Sequence, residues 1–304
     1  MNKSNLITIA LQRYLKNRDI KKLKGNFFYY LLFRLCRTFL NNHIEIKIGN
    51  VKIFASHNKN KTSYFLLKKC DFGDSHELNT LEKFSKLNKL CLLDCGANYG
   101  FYSFHTASLS SNNKVMAFEA SPITSKEFKI NMELNNFKNI NFENLAISNS
   151  ENKFLIFHES KKDWESSLSD NNFLNSTLQK VKNTKIDYFL KDQNLEQYHL
   201  FIKLDIEGNE LDAIKGSLAT IKKYAPIIII EFSKYNLGHS KDNLMFLNHF
   251  LEKFNYSIYT TNNKKIGSKD IIDLVKNLNK RYQTIGNYYL IKNNSKEESI
   301  FLHE

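Results

Sequence analysis

Leu92-Leu93-Asp94-Cys95-Gly96-Ala97-Asn98-Tyr99-Gly100-Phe101-Tyr102 is the stretch whose reading decides the fold. The apolar run Leu90 to Leu93 has no polar face, as expected of a strand covered on both sides. An acid follows, then a turn of small residues, then aromatics at helical spacing that open a helix over Phe101 to Leu109. Gly96 and Gly100 let the backbone turn sharply and let another group approach it closely.

The same unit recurs downstream. Lys114 to Phe118 reads as a second strand ending in Glu119, and Pro122 opens a helix to about Asn136, with proline tolerated in the first turn. Strands at Ile140 to Leu145, Phe201 to Leu204 and Ile227 to Phe232 continue the series, with a helix at Glu210 to Lys223 between the last two. Lys153 to His158 and Lys180 to Ile186 read as extra strands in an insertion, and Tyr256 to Tyr259 and Tyr288 to Ile291 as the last strands. Strands alternating with helices imply an α/β fold, a Rossmann-like, doubly wound, mostly parallel sheet with right-handed crossovers. This domain is expected over residues 76–292, opening with a helix at Ser75 to Leu87. Residues 1–75 form an N-terminal extension: a basic helical segment to about residue 42, then a hairpin alternating through His43-Ile44-Glu45-Ile46-Lys47-Ile48 and turning at Gly49-Asn50. Residues 293–304, rich in Asn and Lys at their start, read as a flexible tail.

With 304 residues and 42% hydrophobic content the chain can bury a sizeable core, which excludes global disorder. The net charge of +13 is spread through a chain rich in Lys and Asn. Such a charge suits nucleic acid, an anionic membrane or acidic substrates and does not choose among them. The four cysteines, Cys36, Cys70, Cys91 and Cys95, show no metal-binding spacing. Cys91 and Cys95 read as buried free thiols, consistent with a reducing cytoplasm. The apolar run Leu6 to Leu11 is too short for a signal-peptide core. Asn26 to Leu40 is too short, and too charged at Arg34 and Arg37, to span a bilayer. Two readings of it stand: a helix packed on the domain, or an interfacial helix facing anionic lipid at the inner membrane face with Lys21, Lys22 and Lys24.

Ligands of a doubly wound sheet sit beyond the carboxyl ends of its strands, where Asp94 to Gly100 falls. The order D-x-G-x-N-x-G lacks the G-x-G-x-x-G spacing that cradles a pyrophosphate, and no G-K-S/T follows as a P-loop would need. An acid ahead of the turn suits a ligand with a positive amine. Glu119, ending the next strand, can accept both hydroxyls of a ribose. Amine and ribose together describe S-adenosylmethionine.

With these features the chain resembles the FkbM-type methyltransferases, S-adenosylmethionine-dependent enzymes that mostly methylate hydroxyl oxygens. The resemblance runs from Leu92 to Phe232 through Asp94 to Gly100, Ala117 to Pro122, Asn144 to Asn149, Ser166-Ser167-Leu168, Ile202 to Leu211 and Ile230-Glu231. It extends poorly to residues 1–75. The family usually has proline where this chain has Ala120, asparagine where it has Ser121 and aspartate where it has Asn149. The resemblance implies cofactor contacts at Asp94, Gly96, Ala97, Asn98, Gly100, Glu119, Ala120, Ser121, Asn144 and Ala146. It also points to a sugar hydroxyl of a glycan, polysaccharide or glycolipid as acceptor.

Asp205, Glu207 and Glu231 follow the next two strands, and period-two alternation puts the first two on one side of the chain. Glu210 and Asp212 read as acids in the first turn of a helix. Methyl transfer from a sulfonium is an in-line displacement that depends on holding the acceptor oxygen aligned. The hydroxyl must also lose a proton, to Glu207 or Glu231 as base, or with help from a divalent ion held by Asp205 and Glu207. His199 reads as a surface or core histidine. His158 precedes Lys161 to Asp170, a possible lid carrying Trp164 as either a sugar-stacking or a core indole; His239 is a further histidine of this half. A nucleic-acid methyltransferase is disfavoured: base-amino enzymes carry D/N-P-P-Y/F where this chain has Asp205-Ile206-Glu207-Gly208, and clustered acids repel a polyanion. A non-catalytic binding protein would be expected to have lost part of that cluster.

Overall fold

The computed structural model describes residues 13–15, 18–39, 43–56, 61–71, 73–160, 166–168, 176–232, 237, 241–267, 271 and 286–303. Leu6 to Leu11, Trp164, His239, the side chain of Cys36 and all but 166–168 of the expected lid lie outside the described residues.

The extension comes first. Ile20–Leu23 is a short 3-10 helix capped by Asp19, and Phe27–Phe39 an α-helix. Strands β1 (His43–Ile48) and β2 (Val51–Ser56) pair antiparallel with Ile48 opposite Val51, around a turn at Gly49, whose φ is +59°. Their alternation buries Ile44, Ile46, Ile48, Val51, Ile53 and Ala55 on one side. The edge of β2 is fixed to the helix Pro122–Asn135: the Phe54 amide donates to Asn131 Oδ1 at 2.9 Å and the Lys52 amide to Asn135 Oδ1 at 2.7 Å. Residues before Ser75 therefore share their apolar core with the main sheet.

That sheet is built from β3 (Leu90–Cys95), β4 (Lys114–Phe118), β5 (Ile140–Glu143), β9 (His199–Leu204), β10 (Ile227–Phe232), β11 (Tyr256–Thr260), β12 (Lys265–Ile266) and β13 (Gly286–Lys292). Its order is β12-β11-β13-β10-β9-β3-β4-β5, parallel from β10 to β5 and antiparallel through β13, β11 and β12. Every residue of β3 and β9 is buried, which explains their unbroken apolar runs. Alternation sends Leu90 and Leu92 into one core and Cys91, Leu93 and Cys95 into the other. Burial pushes the Cys91 thiol up to about 12 and Cys95 higher still, as inert core thiols. A small sheet, β6 (Ala146–Ile147), β8 (Thr177–Thr184) and β7 (Phe154–Glu159), in the order β6-β8-β7, flanks the ends of β4 and β5.

Three expectations are corrected. The helix expected over Glu210 to Lys223 is two, Glu210–Lys215 and Leu218–Tyr224. They are broken where Gly216 packs against the Ser148 carbonyl so closely that a side chain would collide, and where its own carbonyl accepts the Asp187 amide. The strand expected at Lys180 to Ile186 begins earlier and ends at Thr184, because Ile186 turns inward to open the helix Ile186–Phe189. The tail is folded: Lys296–Leu302 is a helix capped by Ser295, and Phe301 buries its ring against Tyr259 and Tyr289.

Candidate active site

The chain turns from β3 to β4 on one side and to β9 on the other, which makes the carboxyl end of β3 the switch point of the sheet. A cleft of about 540 Å³ opens there. It is lined by Asp94, Gly96, Ala97, Asn98, Glu119, Ala120 and Ala146 on one side and by Lys203, Asp205, Glu207 and Glu231 on the other. Thr62, Asp74, Tyr102, Phe157, Ser166 and Leu168 also line it.

Asp94 is the penultimate residue of β3, with its side chain buried. Ser103 Oγ donates to its Oδ2 at 2.6 Å, while Oδ1 has no hydrogen-bond partner among the described residues. Burial pushes this carboxyl up, and Lys203 and Ser103 pull it back down. A buried carboxylate oxygen left without a donor is costly unless a ligand supplies one. Asn98 Oδ1 is in the same position. Glu119 is better served: the Asn98 amide donates to Oε2 and the Ser121 amide to Oε1, both at 2.8 Å. Burial nevertheless raises its carboxyl to about 7, against those two donors.

Three residues expected to touch the cofactor stand behind the cleft instead. Ser121 Oγ caps the helix Pro122–Asn135 by accepting the Thr124 amide and donates to Glu159. Asn144 Nδ2 donates to the carbonyls of Glu119 and Ala120, at 2.7 and 3.0 Å, and so fixes the turn after β4. Gly100, at φ +88°, gives way to the rings of Phe104 and Phe128, which a side chain would overlap. Gly96 does line the cleft, but what approaches its backbone is the carbonyl of Asp205, into which a methyl group would run.

On the far side, Asp205, Glu207 and Glu231 each offer an oxygen within 4.8 Å of the others. They converge through a turn, since β9 ends at Leu204 and Glu207 sits in the left-handed region at φ +54°. Such a conformation costs about 1–3 kcal/mol in a residue other than glycine and persists only where its surroundings enforce it. Glu210 enforces it here, accepting the amides of Ile206 and Gly208, and Ser167 Oγ donates to the Glu207 carbonyl at 2.6 Å. Glu210 thus serves the backbone, and Asp212 accepts the Asn149 amide. Burial pushes Glu231 well above the carboxylate range, and the charges of Asp205, Glu207 and Glu210 add to that. A proton on Glu231, or a cation, relieves the crowding.

Sequence reasoning missed Lys203. It is the penultimate residue of β9, 3% exposed, with Nζ donating to Asp205 Oδ2 at 2.9 Å and lying 4.7 Å from the centre of the Tyr102 ring. Burial works against its charge, yet Asp205 and Asp94 together hold its pKa above the ordinary lysine range. The signal was a lysine inside an otherwise apolar strand, where a buried charge requires partners. Tyr102, whose hydroxyl donates to Asp74 at 2.9 Å, was missed as well. His199 is structural: its ring faces Phe84 edge-on and its Nδ1 lies 3.2 Å from Glu297.

A switch-point cleft with an acid ending each of the first two strands defines the α/β fold of S-adenosylmethionine-dependent methyltransferases. The methyltransferase FkbM domain matches residues 94–258, more than half of the sequence, and the chain belongs to that family. Among curated proteins it is similar to "Methyltransferase 1" of Beauveria bassiana, 23% identical over 143 residues, which are 41% of this chain and 57% of that protein. Among solved structures it is similar to a methyltransferase FkbM from Methylobacillus flagellatus, with TM-score 0.41 and 16% identity, covering 75% of this chain and 53% of the other. It is similar also to a precorrin-6y C5,15-methyltransferase from Geobacter metallireducens, with TM-score 0.37 and 15% identity, covering 70% and 84%. At such TM-scores these likenesses add nothing to what the strand order already shows. The residues present fit the cofactor of the family: Asp94 Oδ1 awaits a donor such as its amine, and Glu119 retains acceptor capacity for its ribose hydroxyls.

Proposed function

We propose that the protein is an S-adenosylmethionine-dependent O-methyltransferase whose acceptor is a hydroxyl, most naturally that of a sugar in a glycan, polysaccharide or glycolipid. One observation carries this reading: three carboxylates, Asp205, Glu207 and Glu231, converge within 4.8 Å in the same cleft as Asp94 and Glu119. The cofactor, when bound, supplies an electrophilic methyl group. Asp94 holds its amine and Glu119 its ribose. On the other side the acids orient the acceptor hydroxyl and take its proton. Asp205 is tied to Lys203, and burial with like charges holds a proton on Glu231, which supports Glu207 as the base. The same three oxygens also suit a divalent ion that would lower the acceptor pKa, with Asp205 and Glu207 as ligands. Incubating the protein with methyl-labelled cofactor and extracted cell glycans, with nucleic acid as control and with and without a chelator, tests both. Label entering nucleic acid and no glycan overturns the acceptor class. Activity lost to the chelator and restored by magnesium or manganese selects the metal over the unaided base.

A further inference from the structure

The outer face of the helix Phe27–Phe39 has no part in the cleft. Tyr29 and Phe33, one turn apart, point inward: the Tyr29 hydroxyl donates to the Leu67 carbonyl and the Phe33 ring lies 5.8 Å from that of Tyr64. At 3.6 residues per turn, Phe27, Phe28, Leu31 and Arg34 fall on the opposite arc. They are exposed, Phe27 by 81%, Phe28 by 53% and Leu31 by 42%. Among the described residues the helix therefore carries apolar side chains on both faces; the inner set is buried, while of the outer set Phe28 meets only the Tyr14 ring, edge-on at 5.3 Å. Just before the helix in the chain come Lys21, Lys22 and Lys24, all exposed, on and directly after a short helix anchored by the buried Ile20 and Leu23. Three acids are close by: Asp19 caps that short helix, Asp71 lies 4.0 Å from Lys21, and Glu82 is near enough to feel the charge of Lys21. The patch remains basic. Among the described residues no helix is long and apolar enough to cross a membrane, so this face can lie on a bilayer but not span it.

We propose that this face docks on an anionic lipid surface. Phe27, Phe28 and Leu31 enter the boundary between headgroups and acyl chains, and Lys21, Lys22, Lys24 and Arg34 face the headgroups. Exposed aromatic and aliphatic side chains on a helix that a lysine-rich turn precedes match that boundary in both polarity and charge. The surface is also joined to the cleft, because Tyr64 and Leu67 belong to the helix Thr62–Lys69 and Thr62 lines the cleft.

Flotation of the full chain with phosphatidylglycerol–phosphatidylcholine vesicles, and with pure phosphatidylcholine vesicles, tests the proposal. The protein should float with the former, and high salt should weaken that binding. Lys22→Glu with Lys24→Glu should weaken it about twentyfold or more, since each basic residue near such a surface strengthens binding about fivefold. Phe27→Ser with Phe28→Ser should weaken it about tenfold; the Phe27 ring is 81% exposed, but the Phe28 ring also meets that of Tyr14 at 5.3 Å, so the melting temperature of this pair is read beside its binding. Should that pair lower the melting temperature, Phe27→Ser alone carries the test. Full-length protein that ignores anionic vesicles overturns the proposal. So does vesicle binding that falls in the lysine variants but not in the phenylalanine ones, or single-stranded RNA binding that follows the same pattern; either would make the patch a purely electrostatic surface.

Discussion

Glu119 and Glu231 stand at the ends of two parallel strands of one sheet, line one cleft and are both raised by burial, yet their surroundings oppose each other. Glu119 accepts two backbone amides, which hold its carboxyl to about 7. Glu231 faces Asp205, Glu207 and Glu210, which drive it much higher. A carboxylate met by fixed N–H groups is kept ready to accept hydroxyls. One met by other carboxylates keeps its proton until a cation or a base takes its place. On the proposed function, the difference separates a half that binds from a half that handles protons.

The sharpest way to break this division is Glu207→Gln, which changes charge with little change of volume. Turnover is expected to fall two to four orders of magnitude while calorimetry finds cofactor affinity intact. Wild-type turnover in this variant would move the base elsewhere. Lys203→Met comes next. It leaves Asp94 and Asp205 without their shared cation and should cost about 3 kcal/mol of stability in chemical unfolding, the low end because Asp205 keeps some solvent. An unchanged unfolding midpoint would mean that the acids do not depend on it. Asp94→Asn should weaken S-adenosylmethionine binding about ten- to a hundredfold with the fold retained, as expected for loss of a charge-assisted hydrogen bond.

A pH series then sharpens the binding half. Glu119 offers both oxygens as acceptors only when ionised, so cofactor affinity should tighten as pH rises through about 7, and Glu119→Gln should flatten that rise. The smallest effect concerns Glu231. Because its pKa is raised on folding, the folded protein binds the extra proton, and stability present below the ordinary glutamate pKa declines as pH climbs towards the folded value. Glu231→Gln should therefore raise the melting temperature by a few degrees at mildly alkaline pH and by less in acid, read by calorimetry. A lower melting temperature at alkaline pH would show that the charge crowding is already relieved.

The strand ends were legible because β3, β4, β9 and β10 are covered on both faces, and a short, wholly β-branched run such as Ile227 to Ile230 favours such a strand. The acids closing those strands were legible for the same reason, since a carboxylate after such a run marks the sheet's ligand edge. Hidden were relations between segments distant in sequence. Asn131 and Asn135 look like surface residues of a helix until β2 is laid beside them. Glu210 looks like a residue favouring a helix N-terminus and instead holds the turn that aims Glu207. Gly216 looks like a weak spot in one helix and proves to be the break between two. Period-two spacing put Asp205 and Glu207 on one side, but the left-handed backbone at Glu207 is what brings it to the cleft.

Gly96 touches the carbonyl of Asp205, so the loop expected to hold the methyl donor and the loop expected to hold the acceptor meet backbone to backbone. In a saturation library selected for function, position 96 should return glycine alone, whereas Phe27 should accept many residues wherever membrane contact is not part of the selection. A cleft built this way varies its acceptor by changing its rim, and the distance between its two halves is the one quantity that mutation cannot adjust gradually.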